Sequence, residues 1–179
     1  MHNTLIALVE NKPGVLNRVA SLFRRRNFNI ESLSVGQTEN PEISRMTIVM
    51  DDDLDARKVE ANLYKLVNVI DVQDVTNLAA VTRDLALIKV KCPPDKRAEV
   101  ASLADIFRAK IVDVAKNSVI VEIAGTEGKI EGLIELLRPI GILEMVRTGQ
   151  VAMMRGTADG IRYNPGTNGR SQETVSLNH

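Results

Sequence analysis

Residues 11–35, NKPGVLNRVASLFRRRNFNIESLSV, hold the pattern that decides the fold. Pro13 and Gly14 stand where an amphipathic run begins. Proline is tolerated in the first turn of a helix because its missing N–H would go unpaired there anyway. Val15, Leu16, Val19, Leu22 and Phe23 recur at the spacing of one helical face, with Asn17, Arg18, Ser21 and Arg25 opposite. The basic run Arg24-Arg25-Arg26 falls at the helix end, where cations complement the dipole. Asn29 then opens a β-type segment, Ile30 to Thr38.

Outward from this stretch, Thr4 to Val9 (TLIALV) is an apolar run suited to a buried strand. Ile43 to Met50 follows a turn at Glu39-Asn40-Pro41-Glu42. Val59, Leu63, Leu66 and Val67 mark one face of a second helix. The triplet Asp51-Asp52-Asp53 before it is read as a cap and dipole complement, since adjacent carboxylates do not readily converge on one ion. Val69 to Val75 supplies a fourth strand, completing the order βαββαβ.

The second half repeats that order. Its strands are Leu85–Val90, Ile111–Ala115, Ser118–Ala124 and Ile142–Val146, and its helices Pro94–Arg108 and Glu127–Leu137. Leu22-Phe23-Arg24 is echoed by Ile106-Phe107-Arg108, each expected to end the first helix of its half. The expectation is an α+β chain of two ferredoxin-like βαββαβ domains, residues 1–79 and 80–156. Residues 157–179 lose periodicity and are expected to be a flexible tail. Helices on one face of each sheet leave the other face and the edges to find partners, and homodimerisation satisfies them.

Composition removes several function classes. The chain has 179 residues, 44% hydrophobic and 26% charged, as in ordinary soluble globular proteins. Lys plus Arg equals Asp plus Glu at 23 each, so no global field draws nucleic acid or an anionic membrane. RNA-recognition modules share the βαββαβ order, but the third strand, ISRMTIVM at 43–50, has no aromatic on which a base would stack. No apolar run approaches the roughly 20 residues of a membrane span, and no secretory signal precedes the first strand. The lone Cys92, followed by Pro93-Pro94, reads as structural, and a soluble, reducing compartment is expected.

Chemistry is also constrained. His2 and His179 are the only histidines, so an imidazole base, a triad or a His-ligated metal would have to be built from the chain ends. No catalytic residue and no metal ligand is assigned. Gly125-Thr126-Glu127-Gly128-Lys129 lacks the glycine spacing of a phosphate loop, and Ile130 stands where a magnesium-ligating hydroxyl belongs. Thr126 is read as a helix cap.

The opening loop has two readings. Asn11-Lys12-Pro13-Gly14 makes a good helix start by itself. Alternatively, Gly14 lets a ligand approach the backbone, with free N–H groups and the positive helix end facing a carboxylate. Asn11 would offer its amide to either end of a free amino acid, and Asn29 would do the same from a neighbouring subunit. Val15, Leu16 and Ile30 would enclose a small aliphatic side chain. Burying a valine side chain contributes about 1.5–3 kcal/mol, and each hydrogen bond to a charged group about as much. After association entropy, an affinity on the order of micromolar to millimolar follows, which suits a sensor of a pathway end product.

ENKPGVLNRVASLFRRRNFNIESLSVGQTE, followed by SRMTIVM, resembles the N-terminal ACT domain of the regulatory (small) subunit of acetolactate synthase, also called acetohydroxyacid synthase. AGTEGKIEGLIELLRPIGILEMVRTGQVAMMRG resembles the C-terminal domain of the same subunit, so the likeness covers roughly residues 2 to 156. The resemblance implies a subunit without chemistry of its own. Such a subunit binds and activates the thiamine-diphosphate-dependent catalytic subunit and confers feedback inhibition by valine in branched-chain amino-acid biosynthesis, in the cytoplasm. Thiamine diphosphate, magnesium and FAD are then expected in the catalytic partner and no cofactor in this chain. Family effector sites lie between paired ACT domains of a homodimer. The matching positions here are Asn11, Gly14, Val15, Leu16, Asn29 and Ile30. No insertion of the fungal kind interrupts the chain and the two-domain unit occurs once, as in bacterial or archaeal members. The alternative is a free-standing ACT-type regulator that binds an amino acid and serves another target.

Overall fold

The run ahead of the Pro-Gly loop forms β1 (Asn3–Glu10), and the amphipathic stretch after it forms α1 (Val15–Arg25). They are followed by β2 (Ile30–Gln37), β3 (Ile43–Met50), α2 (Ala56–Leu63) and β4 (Val69–Asp74). The computed structural model describes residues 2–51 and 53–156, so the expected tail at 157–179 lies outside the described residues. Two compact units divide between Ala80 and Val81, with residues 153–156 grouped with the first.

In the first unit the sheet order is β2-β3-β1-β4, with every neighbouring pair antiparallel. Strand alternation directs Leu5, Ala7 and Val9 of β1 and Met46, Ile48 and Met50 of β3 into one core. Val15, Val19, Leu22 and Phe23 of α1 and Ala56, Val59 and Leu63 of α2 complete it. Phe23 meets Phe28 edge to face, with centroids 5.9 Å apart, an arrangement that adds about 0.5–1.5 kcal/mol beyond area burial. Ile6 and Leu8, pointing the other way from β1, are buried too, which is why this strand reads as an unbroken apolar run.

Strand β5 (Ala80–Lys91) leads into the second unit, which contains a short 3₁₀ turn at Pro94–Lys96, α3 (Arg97–Ile106) and β6 (Lys110–Val114). It continues with β7 (Ser118–Gly125), α4 (Glu127–Leu137) and β8 (Ile142–Arg147), and ends within β9 (Val151–Met154). The order is β6-β7-β5-β8, with β9 also paired to β5. Ala86, Ile88, Val90, Val119, Val121 and Ile123 pack against Val100 and Ala104 of α3 and Ile130, Leu133, Ile134 and Leu137 of α4. Both units have the ferredoxin-like βαββαβ topology expected. Cys92 is buried as a free thiol at the end of β5.

Several local expectations are corrected. Pro13 lies in the turn before α1, not in its first turn, and Gly14 is the N-cap. Asp55 caps α2 by accepting from the Arg57 N–H at 3.1 Å, so the upstream aspartates are not the cap. Helix α2 stops at Leu63, which leaves Val67 85% exposed instead of on the core face. Leu22-Phe23-Arg24 does lie in the last turn of α1, whereas α3 ends at Ile106 and leaves Phe107 and Arg108 beyond it. Thr126 occupies the N-cap of α4 but its hydroxyl makes no capping bond. Strand β9 follows β8 and has no counterpart in the expected order.

Candidate functional site

Backbone conformation favours glycine at the β1–α1 junction. Gly14 has φ 82° and ψ −7°, in the left-handed region where an ordinary side chain is strained. A Cβ there would meet nothing within 4 Å, so the backbone, not crowding, favours glycine. The helix opening is electrostatically bare, with no side-chain cap and no acidic residue in the first turn. The Arg18 N–H bonds back to the Gly14 carbonyl at 3.0 Å and the Val15 N–H to the Lys12 carbonyl at 3.3 Å. Among the described residues, the N–H groups of Leu16 and Asn17 have no such partner. Orphan donors at the positive end of a helix favour an anion.

Asn11 is held beside this opening. Its backbone N–H bonds to the Glu42 carbonyl at 2.6 Å and its side-chain NH₂ to the Pro41 carbonyl at 2.8 Å. The amide oxygen is thereby left as the acceptor, the group an ammonium seeks. Val15 is committed to the core, whereas its neighbour Leu16 is 46% exposed. The six expected positions therefore divide by role: Val15 shapes the helix start from below, and Leu16 offers apolar surface.

A polar chain flanks the junction. Glu10 accepts from Lys12 Nζ at 3.0 Å and from Asn68 Nδ2 at 2.5 Å, and Asn68 Oδ1 accepts from Arg18 at 2.6 Å. The hydrogen bonds from Asn68 and Lys12 hold the Glu10 carboxyl below its ordinary pKa. Asn68 is buried, and its carbonyl also takes the Glu10 N–H at 2.9 Å. Sequence reading missed Asn68. An amide between valines just before a strand is the only local signal, and its partners are fixed by the sheet.

Asn29 and Ile30 lie elsewhere in the same chain. Register pairs Ile30 with Met50 and Met50 with Asn3, whereas Glu10 pairs with Ile43 at the other end of the sheet. The eight residues of β1 separate the two ends, roughly 25 Å at about 3.4 Å per residue. Asn29 is exposed, with its NH₂ directed to Asp51 at 3.4 Å. Ile30 is half-buried against the core. One chain brings Asn11, Gly14, Val15 and Leu16 together and keeps Asn29 and Ile30 apart from them.

Comparison with known proteins agrees with this architecture. Residues 5–71 match the family described as the AHAS small subunit-like ACT domain, and residues 83–156 match the family described as the small subunit of acetolactate synthase. The chain is 54% identical to the probable acetolactate synthase small subunit of Archaeoglobus fulgidus over 157 residues, covering 87% of this chain and 98% of that one. It is 44% identical to the acetolactate synthase small subunit of Bacillus subtilis over 159 residues, covering 88% and 92%. The crystal structure of the acetolactate synthase small subunit from Thermotoga maritima superimposes with a TM-score of 0.82 at 43% identity, covering 87% of this chain and 98% of that one. With 54% and 44% identity over nearly the whole of these relatives, and with both family matches falling in order along the sequence, the chain belongs to the family of acetolactate synthase small subunits.

Proposed function

We propose that this chain is a non-catalytic regulatory subunit that binds and activates the thiamine-diphosphate-dependent catalytic subunit of acetolactate synthase and makes it sensitive to L-valine. It acts in the cytoplasm, in branched-chain amino-acid biosynthesis. The observation that carries the effector reading is the β1–α1 junction. It combines Gly14 at φ 82°, an uncapped helix start without acidic side chains, and a half-exposed Leu16. The helix end would take the carboxylate of the amino acid, the Asn11 amide oxygen its ammonium group, and Leu16 its side chain. Asn29 and Ile30 would come from a second copy paired through its ACT domain, because their own chain holds them at the far end of the sheet. Thiamine diphosphate, magnesium and FAD would belong to the catalytic partner.

Valine bridging two chains would favour one dimer arrangement and alter the engagement of the catalytic subunit. A coupling of about 1–3 kcal/mol is typical of such linkage, and in binding it is reciprocal. Calorimetric titration with L-valine, with D-valine and L-aspartate as controls, tests the sensor. Assay of the purified catalytic subunit with and without this chain tests the subunit role. The expected result is higher activity and valine inhibition only when the chain is present. An amino-acid response without any effect on an acetolactate synthase catalytic subunit would instead identify a free-standing regulator.

A further inference from the structure

Three strand ends meet at the end of the first sheet opposite the β1–α1 junction. One residue beyond the pair Asn3 and Met50, the chain continues to His2 on the β1 side and Asp51 on the β3 side. Strand β2 pairs with β3 at Ile30–Met50 and shifts register before Ser32–Val49, so Glu31 is the extra residue of a bulge. Bulges re-aim a side chain that regular pairing would direct elsewhere. The outcome is one imidazole and two carboxylates, from β2 and from the residues flanking β1 and β3, with ligand atoms all within 4.8 Å of one another. His2 Nδ1 stands 2.6 Å from Glu31 Oε2.

We propose that His2, Glu31 and Asp51 form a binding site for a divalent transition-metal ion of the zinc class. The imidazole is what separates this set from a mere acidic cluster: magnesium and calcium take all-oxygen shells, whereas nitrogen with carboxylate oxygen suits zinc, cobalt or nickel. Three protein ligands leave a further position for water. Metal bonds of about 2.0–2.2 Å place tetrahedral ligand atoms roughly 3.3 Å apart. The widest separation then closes by at most about 1.5 Å, and the His2–Glu31 contact opens by about 0.7 Å. His2 and Glu31 side chains are 46% and 31% exposed, so rotamer changes accomplish both movements. A bound ion ties the ends of β1, β2 and β3 together and stabilises the folded state in proportion to its occupancy. The competing account is a plain His2–Glu31 ion pair, with the Asp51 carboxylate accepting, among the described residues, only the long Asn29 contact at 3.4 Å.

The test titrates the untagged full chain with Co²⁺, read by visible absorption, followed by displacement with Zn²⁺. His2→Gln, Glu31→Gln and Asp51→Asn are treated in parallel, with circular dichroism as the control for folding. One Co²⁺ per chain is expected, displaced by Zn²⁺, with affinity reduced at least tenfold in each variant. Glu31→Gln is close to isosteric at an exposed site, so it decides the matter even if Asp51→Asn does not fold. Absence of saturable binding below about 1 mM would overturn the site. Affinity unchanged within twofold across the variants would move the ion to other groups, such as His179, and overturn it as well. Binding lost in His2→Gln but intact in both carboxylate variants would reduce it to an imidazole contact and equally reject the three-ligand site.

Discussion

Substituting Gly14 separates the conformational demand of the helix start from its proposed use as a carboxylate receptor. At φ 82° a Cβ costs about 1–2 kcal/mol, and nothing within 4 Å adds steric cost. Gly14→Ala should therefore lose about 1–2 kcal/mol, and for a domain of this size each kcal/mol lowers the melting temperature by about 4–8 °C. Gly14→Asp meets the same backbone penalty, which Asp tolerates better than Ala. Its carboxylate can also accept the open N–H groups of Leu16 and Asn17, a cap contribution of about 0.5–2 kcal/mol. Its net stability change should be within about 1 kcal/mol of zero. Binding should run in the opposite order. A carboxylate about 4 Å from that of the ligand opposes it by about 1 kcal/mol in full solvent and about 4 kcal/mol near a protein surface. That corresponds to roughly 5-fold to 1000-fold weaker L-valine binding, on top of competition for the same donors. Gly14→Ala, measured below its melting temperature, should bind L-valine within about threefold of the parent. Urea unfolding followed by circular dichroism gives one ordering and calorimetric titration the other. If Gly14→Asp bound L-valine like the parent while folded, the carboxylate would not sit at this helix end and the site assignment would fail.

Arg147 clamps Asp84 at 2.7 Å while also reaching Glu131, and Asp84 is 7% exposed. Arg147→Met should destabilise the second unit by about 3–5 kcal/mol because it strands a buried charge. Pairing it with Asp84→Leu should recover most of that loss, and a double-mutant cycle from denaturant unfolding measures the recovery. Tyr64 is pushed up to about 12, first by burial and then by its hydrogen bond to Asp71 at 2.7 Å. An unfolded tyrosine ionises near pH 10, so this contribution is complete below about pH 10 and disappears as pH rises from there to about 12. Tyr64→Phe should remove the late phase of the phenolate absorbance titration. Phe23→Ala should cost about 3–5 kcal/mol, whereas Val67→Thr, at an 85% exposed position, should change the urea midpoint negligibly.

Where one face of an element alone meets the core, periodicity was enough to find it. The spacing of Val15, Val19, Leu22 and Phe23 marks α1, and all four are buried together. Strand β3 directs Met46, Ile48 and Met50 to the helices, but Ser44, Thr47 and Val49 are buried as well, so no alternation marks it. Local reading was weakest at element ends, where several residues compete for one task. Asp51, Asp53 and Asp55 are each chemically suited to cap α2, and only Asp55 sits one residue before its first turn. Val67 continues an apolar spacing past Leu63, but the chain leaves the helix before reaching it. Neither outcome has a signal within a few residues of itself.

The candidate site divides along the same line. Pro-Gly followed by an amphipathic run specifies the β1–α1 junction, because glycine conformation and helix dipole are properties of adjacent residues. The sequence alone thus determined two βαββαβ units and most of their core-facing residues, Leu16 and Val67 excepted, and it marked the Pro-Gly junction before α1. Tertiary structure decided what meets across strands: Asn68 beneath Glu10 and Arg18, Asn29 far from Asn11, and His2 beside Glu31 and Asp51. Those encounters depend on register and on a single bulge. Register is fixed by the sum of many apolar contacts along whole strands, so no short stretch carries it.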